Sequence, residues 1–402
     1  DDLKIRASIG QTGTEKDVKL FDYLSGYTWN NGNAVLDGEL VTGLNQRGLP
    51  ITNLSWTKNT TSNIGFDLTM FNNRLKITAD AFRKDITGVP AARYDVLLPS
   101  EVGYTLPNEN LNKQAYIGAE GMVTWTDHIG DLNYTVSGNF TFSRYKSIET
   151  YKPRFNNSWD EYRNSAEGRW GGIYWGYQVI GQFQSEEEIR NYPVNLDGNN
   201  NRTLLPGDFI YKDVNGDGII NGMDERPIGY PEGWAPIMSF GGNIGLAWKG
   251  IDLNIDLSGG AMQGWRQNYE LANAYHGNGN SPVYLLQDRW HRADLYDPES
   301  EWIPGRYPAI RKGEFSYNNK NSDFWLHNVR YLRIKNLEVG YSLPAQLLRP
   351  IRAQKVRIYA NVSNLCSFDN VGKFGVDPEI TAAAAVVYPQ QRTFLLGFNI
   401  TY

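Results

Sequence analysis

The sequence predicts an all-β fold, a transmembrane antiparallel β-barrel. Three observations carry this reading: two-residue alternation of apolar and polar side chains, a regular alternation of short and long connections, and a hydropathy profile without a membrane helix. The chain has 402 residues, 41% of them hydrophobic and 13% aromatic, with 41 Gly, 25 Tyr and 12 Trp. That is ample material for a large ordered structure. Mean hydropathy is -0.50, and no stretch approaches the roughly 18 uncharged apolar residues that a membrane helix requires. A barrel strand spans with about 10 residues, of which only every second one must be apolar, so a low average leaves that route open.

Alternation places successive side chains on opposite faces of a strand. At the end of the chain Phe394, Leu396, Phe398, Ile400 and Tyr402 fall on one face and Thr393, Leu395, Gly397, Asn399 and Thr401 on the other. Leu132, Tyr134, Val136, Gly138, Phe140 and Phe142 alternate with Asn133, Thr135, Ser137, Asn139, Thr141 and Ser143. The same pattern predicts strands over 62–71 and 74–82, and further strands at about 3–12, 114–126, 237–248, 251–261, 326–342 and 354–364. Between these ten strands the connections are short at Asn72-Asn73, His128 to Asp131, Lys249-Gly250 and Leu343 to Ala353. The others, about 13–61, 86–113, 146–236, 262–325 and 365–391, run roughly 27 to 90 residues. Tight turns at one end and long loops at the other are the asymmetry of an outer-membrane barrel, whereas a soluble sandwich rarely holds all its long loops on one side.

Charge and motif content narrow the function. Net charge is -5 with mixed signs, so there is no basic field for nucleic acid. The single cysteine, Cys366, cannot form an internal disulfide. His128, His276, His291 and His327 lie far apart without metal-ligand spacing, and no nucleophile elbow, phosphate loop or dinucleotide fingerprint is present. No catalytic or cofactor-binding residue is assigned, and the chain reads as a non-enzyme.

One local motif points to a metal. Asp213, Asn215, Asp217, the Ile219 carbonyl, Asn221 and Asp224 fall at positions 1, 3, 5, 7, 9 and 12 of a 12-residue loop with Gly218 at position 6. Those are the oxygen donors and the turn glycine of a Ca²⁺ loop. Asp224 stands where a bidentate Glu is usual, and no helices flank the loop, so it looks like a dockerin-type loop that stiffens the longest connection. Its other reading is a solvated Asp/Asn/Gly turn. Tryptophans crowd the long connections: Trp159, Trp170, Trp175, Trp265, Trp290 and Trp302 are candidates for ligand contact, with Trp234 nearby. Flat rings suit sugar rings, but aromatics also pack large loops together or form interfacial girdles.

Several segments together resemble a family, the SusC/RagA-like TonB-dependent receptors of Bacteroidetes outer membranes. They are Leu3–Gly13, the Asn63–Asp67 and Phe71–Leu75 hairpin with Asp85, Pro206–Gly218, Asn328–Leu337, Gly340–Pro344, Val362–Leu365, Asp377–Glu379 and Tyr388–Arg392. Each is weak singly; their order and spacing are specific. The resemblance implies a 22-stranded barrel in outer-membrane lipid, plugged by an N-terminal domain, capped by a SusD-like surface lipoprotein and powered by TonB, that imports glycan or peptide nutrients. This chain would supply about ten C-terminal strands. The plug and the TonB-contacting part would lie ahead of Asp1, since the chain opens on a strand without Met. Alternatives are a soluble carbohydrate-binding or glycosidase-like β-protein, and a passive outer-membrane barrel or adhesin.

Overall fold

The computed structural model describes residues 1–15, 23–46, 49–51, 53, 55–93, 95–99, 101, 106–233, 235–311, 315–379, 388 and 390–402. Ten long strands form one antiparallel sheet in simple sequence order. They are β1 (Asp2–Thr14), β2 (Thr57–Met70), β3 (Leu75–Ala91), β4 (Glu109–Ile129), β5 (Leu132–Glu149), β6 (Met238–Trp248), β7 (Ile251–Arg266), β8 (Leu326–Ser342), β9 (Lys355–Asp369) and β10 (Thr393–Thr401).

All ten predicted strands are present, but several predicted loop boundaries need correction. β2, β3, β4, β5, β7 and β9 each extend several residues further at the end that meets a long connection. The connections therefore shrink to 15–56, 92–108, 150–237, 267–325 and 370–392. The first of them also contains a hairpin, Tyr27–Leu36 with Glu39–Gln46, and parts of it, of 92–108, of 267–325 and of 370–392 lie outside the described residues. The physical reason for the extension is length. The 21 residues of β4 run about 70 Å at about 3.3 Å each, against an apolar band of about 25 Å. Alternation is required only inside that band, so the strand ends beyond it carry no periodic signal. The short ends are set by turn chemistry: Lys249 (φ 47°) and Gly250 (φ 89°) both adopt positive φ, as a two-residue hairpin of the favoured hand demands.

The chain divides into two compact units, residues 1–72, 76–121 and 142–171, and residues 73–75, 122–141 and 172–402. In the second, register brings apolar residues into rows. Trp248, Ile251, Tyr341, Ile358 and Phe398 are successive partners across β6 to β10. So are Leu246, Leu253, Val339, Ala360 and Leu396. Large side chains of this face stay exposed, Trp248 by 49%, Tyr341 by 43% and Phe398 by 70%, an apolar row of the kind that marks a contact surface and not an ordinary soluble exterior.

The opposite face is a polar ladder. Asn243 donates to Asn254 and Asp256 (both 2.7 Å), Asn361 donates to Asn336 (2.8 Å), and Arg357 donates to Glu338 (2.7 Å) and Asp252 (3.0 Å from Nε). In the first unit, Arg6 on β1 donates to Asp80 on β3 (3.1 and 2.7 Å) and to Asp67 on β2 (3.2 Å). Apolar on one face and hydrogen-bonded polar on the other is the arrangement of a barrel wall between lipid and a wet interior.

Candidate functional site

The main apolar core lies in the long connections, not on the sheet. Phe183, Leu196, Phe209, Tyr211, Tyr317 and Trp325 are among its fully or almost fully buried members, drawn from 150–237 and 267–325. Ring contacts lock it: Phe209 to Phe324 at 4.4 Å and Phe324 to Trp325 at 4.8 Å between centroids. Paired hydroxyls cross it, Tyr211 donating to the Tyr317 carbonyl (2.9 Å) and Tyr317 to the Phe209 carbonyl (2.5 Å).

A buried carboxylate, Asp208, sits at its edge with 0% exposure. It accepts from Leu205 N (2.8 Å), Asn318 Nδ2 (2.7 Å) and the Arg311 guanidinium. Burial pushes its carboxyl up, and Arg311 and Asn318 pull against that. Lys320 lies under three tyrosine rings, Tyr177, Tyr211 and Tyr317, at 5.0, 5.4 and 5.1 Å. Cation–π contact thus ties the turn that carries it to the core.

The Asp213–Asp224 loop is built by its own side chains. Asp213 accepts from Gly216 N (2.7 Å) and Gly218 N (2.9 Å), and Asp217 from Ile219 N (3.0 Å). Asn221 accepts from Met223 N (2.7 Å), and the buried Asp224 from Val214 N and Asn221 N (both 2.9 Å). The amide of Ile219 and the side chains of Asn215 and Asn221 hold the exposed Asp217 carboxyl below its ordinary range. Oxygen donors suit a hard cation, and the oxygens of Asp213 and Asp224 each accept one bond, whereas Asp217 Oδ2 accepts from both Asn215 and Asn221. Even so, among the described residues no three His, Cys, Asp or Glu side chains stand together as a metal cluster. The loop is braced to its neighbour by Asn195, whose amide donates to Gly218 (2.8 Å) and whose carbonyl accepts from Ile220 (3.1 Å).

The predicted tryptophans separate into two groups. Trp265 and Trp290 are 5% and 3% exposed. Trp265 stacks on His327 at 5.5 Å, and Trp290 fills the space that Gly207 leaves by lacking a side chain. Both are packing residues here and offer no open face, a correction to their reading as contact residues. Trp159, Trp170, Trp175 and Trp302 are half-buried. Trp159 packs on Tyr162 (5.4 Å), Trp170 lies under Arg144 and Lys146 (5.5 Å each), and Trp302 under Arg292 (4.5 Å). Trp234 lies outside the described residues.

What the sequence did not mark is a cleft of about 440 Å³ between the turn 272–278 and the segment 307–311, floored by Phe315, Asn318, Asn319 and Trp325. Tyr275 on its rim is 57% exposed and holds φ 60°, a strained value for an aromatic residue. A tyrosine in a turn gave no signal of this.

No known family profile matches the chain. It is 25% identical to TonB-dependent receptor P3 of Formosa agariphila over 99% of this chain and 39% of that protein. It is also 25% identical to the TonB-dependent receptor SusC of Bacteroides thetaiotaomicron over 100% of this chain and 38% of that protein. The RagAB peptide importer in its open-open state superposes with a TM-score of 0.68 at 20% identity, covering 100% of this chain and 40% of that one. Over its whole length the chain is thus similar to the barrel portion of SusC/RagA-like TonB-dependent receptors. As such it is an outer-membrane β-barrel segment, spanning about two-fifths of the length of the relatives it matches. The exposed apolar rows of the SusC/RagA-like sheet are then its lipid face, the polar ladder its interior, and the packed connections its loop layer.

Proposed function

We propose that this chain forms ten strands and a loop layer of a TonB-dependent transporter that imports glycan or peptide nutrients with a SusD-like surface lipoprotein. The observation that carries the reading is the ten-stranded meander with an apolar outer face, a polar inner face and long connections folded around their own aromatic core. β1 and β10 stand at the two ends of the strand order with almost all side chains exposed. Open edges of this length invite pairing, which supports further strands of the same receptor beside them. The plug and the TonB contact belong to that remainder. In this reading Trp159, Trp170, Trp175 and Trp302 offer ring faces to ligand. Asp213, Asn215, Asp217, Ile219, Asn221 and Asp224 hold a structural Ca²⁺ that stiffens the longest loop.

The test is uptake of labelled oligosaccharide and peptide mixtures by cells expressing the full-length receptor, with and without TonB and the lipoprotein. Uptake that needs both supports the proposal. Uptake that persists without TonB makes the barrel a passive pore, and a receptor that stays folded and monodisperse without detergent removes the membrane reading altogether.

A further inference from the structure

The connection from β8 to β9, residues 343–354, lies at the end of the sheet where the turns are short, the periplasmic end of an outer-membrane barrel. It holds a short helix, Ala345–Leu348, continued by a 3₁₀ turn, Arg349–Ile351. Backbone bonds fix it at both ends. Ser342 donates to the Gly250 carbonyl (2.7 Å), Leu343 to the Val356 carbonyl (2.9 Å) and Gln354 to the Thr401 carbonyl (2.7 Å). The connection is thus tied to the turn between β6 and β7 on one side and to the end of β10 on the other.

Its helix covers part of the lipid face. Register sets Val356 opposite Ile400 and Ile358 opposite Phe398, so Val356 and Ile358 both face outward, as Phe398 does. Yet Ile358 is 46% exposed and Val356 only 7%. The helix that packs against β9 and buries its own Leu348 accounts for the difference. Leu347, beside it, is left 61% exposed. Trp248, Tyr341 and Tyr402 stand exposed at the same ends of β6, β8 and β10, and aromatic rings gather where hydrocarbon meets headgroups.

Charge at this rim has one sign. No Asp or Glu occurs between Glu338 and Asp369. Arg349 and Arg352 are exposed, and among the described residues their side chains make no hydrogen bond or ion pair. Arg352 closes the 3₁₀ turn at φ 53°, a conformation that ordinarily falls to Gly or Asn, so the backbone gives no reason for an arginine there. On the neighbouring turn Lys249 lies over the Trp248 ring at 5.5 Å and pairs with Asp131 (3.3 Å).

We propose that the 343–354 connection is an interfacial clamp for an anionic glycerophospholipid of the periplasmic leaflet. Leu347 enters the acyl region, and Arg349 and Arg352 hold the headgroup phosphate from the aqueous side. Two observations select this occupant: the connection is continuous with the lipid-facing rows, and its positive charge has no carboxylate within it to answer it. The site concerns the lipid around the barrel and is independent of what the receptor carries.

The test is a competition on the purified full-length receptor, freed of lipid in detergent and offered equal amounts of phosphatidylglycerol and phosphatidylethanolamine with the same acyl chains. Native mass spectrometry counts the lipid retained. Phosphatidylglycerol is expected to be preferred by at least about tenfold, and Arg349→Gln with Arg352→Gln to bring the preference below about threefold. Lysine at both positions keeps it, because the charge remains. Arg352→Gly relieves the positive φ, so it raises the thermal midpoint while weakening the preference, which a purely structural role for Arg352 would not do. Equal retention of the two lipids by the unaltered receptor overturns the proposal, with no variant needed. So does a preference that survives the double glutamine substitution. Displacement of phosphatidylglycerol by inorganic phosphate at the same concentration overturns it as well, since the arginines would then serve a free anion and not a lipid.

Discussion

Arg357 and Asp252 meet across a strand to which neither belongs. Arg357 lies on β9 and Asp252 on β7, yet Arg357 Nε donates to Asp252 Oδ1 at 3.0 Å. The strand between them, β8, places Gly340 directly opposite Asp252, and a Cβ there would land on the guanidinium. The device recurs in the other unit. Arg6 on β1 pairs in register with Gly65 on β2 and reaches Asp80 on β3 over it, and a Cβ on Gly65 would strike the Asp80 carboxylate. In both places a missing side chain opens a passage for an ion pair spanning three strands of the barrel wall.

Gly340→Val is therefore expected to break the Arg357–Asp252 contact and lower stability by about 1–3 kcal/mol, the usual cost of stranding a partly buried charge. Thermal denaturation of the full-length receptor in detergent measures it. In an Arg357→Met background the same substitution should cost much less, because the two residues act through one contact. Full additivity would show that Gly340 serves the strand and not the ion pair.

The strands were legible because a lipid-facing row and a wet row enforce two-residue alternation on each of them. Their upper ends were not, since beyond the bilayer nothing requires that period. One further signal is present in the sequence. In β8 the apolar residues fall at Leu332 and Ile334 and then at Leu337, Val339 and Tyr341, a change of parity at the polar doublet Lys335-Asn336. The loop core was invisible for a different reason: Phe183, Phe209 and Trp325 sit in irregular chain with no repeat to reveal which face is inside. That same irregularity made Trp290 and Trp302 look alike in sequence.

Those two tryptophans should now behave differently. Trp290 is 3% exposed, and Trp290→Ala is expected to destabilise the loop layer by about 3–5 kcal/mol, seen as faster limited proteolysis of 172–325 in the intact receptor. Trp302 is half-buried under Arg292, and Trp302→Ala should change stability by about 1 kcal/mol or less while weakening ligand binding. Equal protease sensitivity of the two variants would contradict this assignment.

Asp197 gives the loop layer a defined pH response. Its carboxylate accepts from Asn199 N (2.7 Å), Asn201 N (2.8 Å), Thr203 N (3.0 Å) and Thr203 Oγ1 (2.6 Å). Burial alone would raise its pKa, but the Thr203 hydroxyl and the three amides bring it below the ordinary 3.8. A depressed folded-state value means that the stability it contributes is present above the unfolded value and is lost as pH falls through the folded one. Asp197→Asn should thus cost about 1–2 kcal/mol at neutral pH, with the deficit closing below about pH 3.8. A deficit that stays constant down to pH 2 would rule out the ionised cap as its source.

The calcium assignment is separable from folding by a metal probe. Tb³⁺ luminescence sensitised by nearby tyrosine should report binding to the full-length receptor, with Ca²⁺ competing and Asp217→Ala abolishing the signal. Chelation should make 195–224 more susceptible to protease, because a bound cation stabilises the folded loop by mass action. No luminescence from the intact protein would reduce the motif to a self-capped Asx turn.

The parity change in β8 makes the sharpest demand on the fold. Below it Asn336, Glu338 and Gly340 face the interior. Register then passes from Asp256↔Asn336 directly to Leu257↔Ile334, leaving Lys335 as an extra residue, a bulge that turns Arg333 inward in place of Ile334. Arg333, 4% exposed, donates to Asp377 (2.6 Å) and Glu379 (3.0 Å), and Lys335 donates to Glu379 (2.7 Å). The segment that follows β9 is thereby clasped against the inner face, with Val371, Phe374 and Val376 packed on Trp265 and Val329. Deleting Lys335 should restore simple alternation, drive Ile334 inward and release the clasp. Limited proteolysis of the full-length receptor should cut 370–379 slowly in the parent and markedly faster after the deletion. Equal cleavage would mean that β8 absorbs the lost residue elsewhere and that the bulge does not aim Arg333.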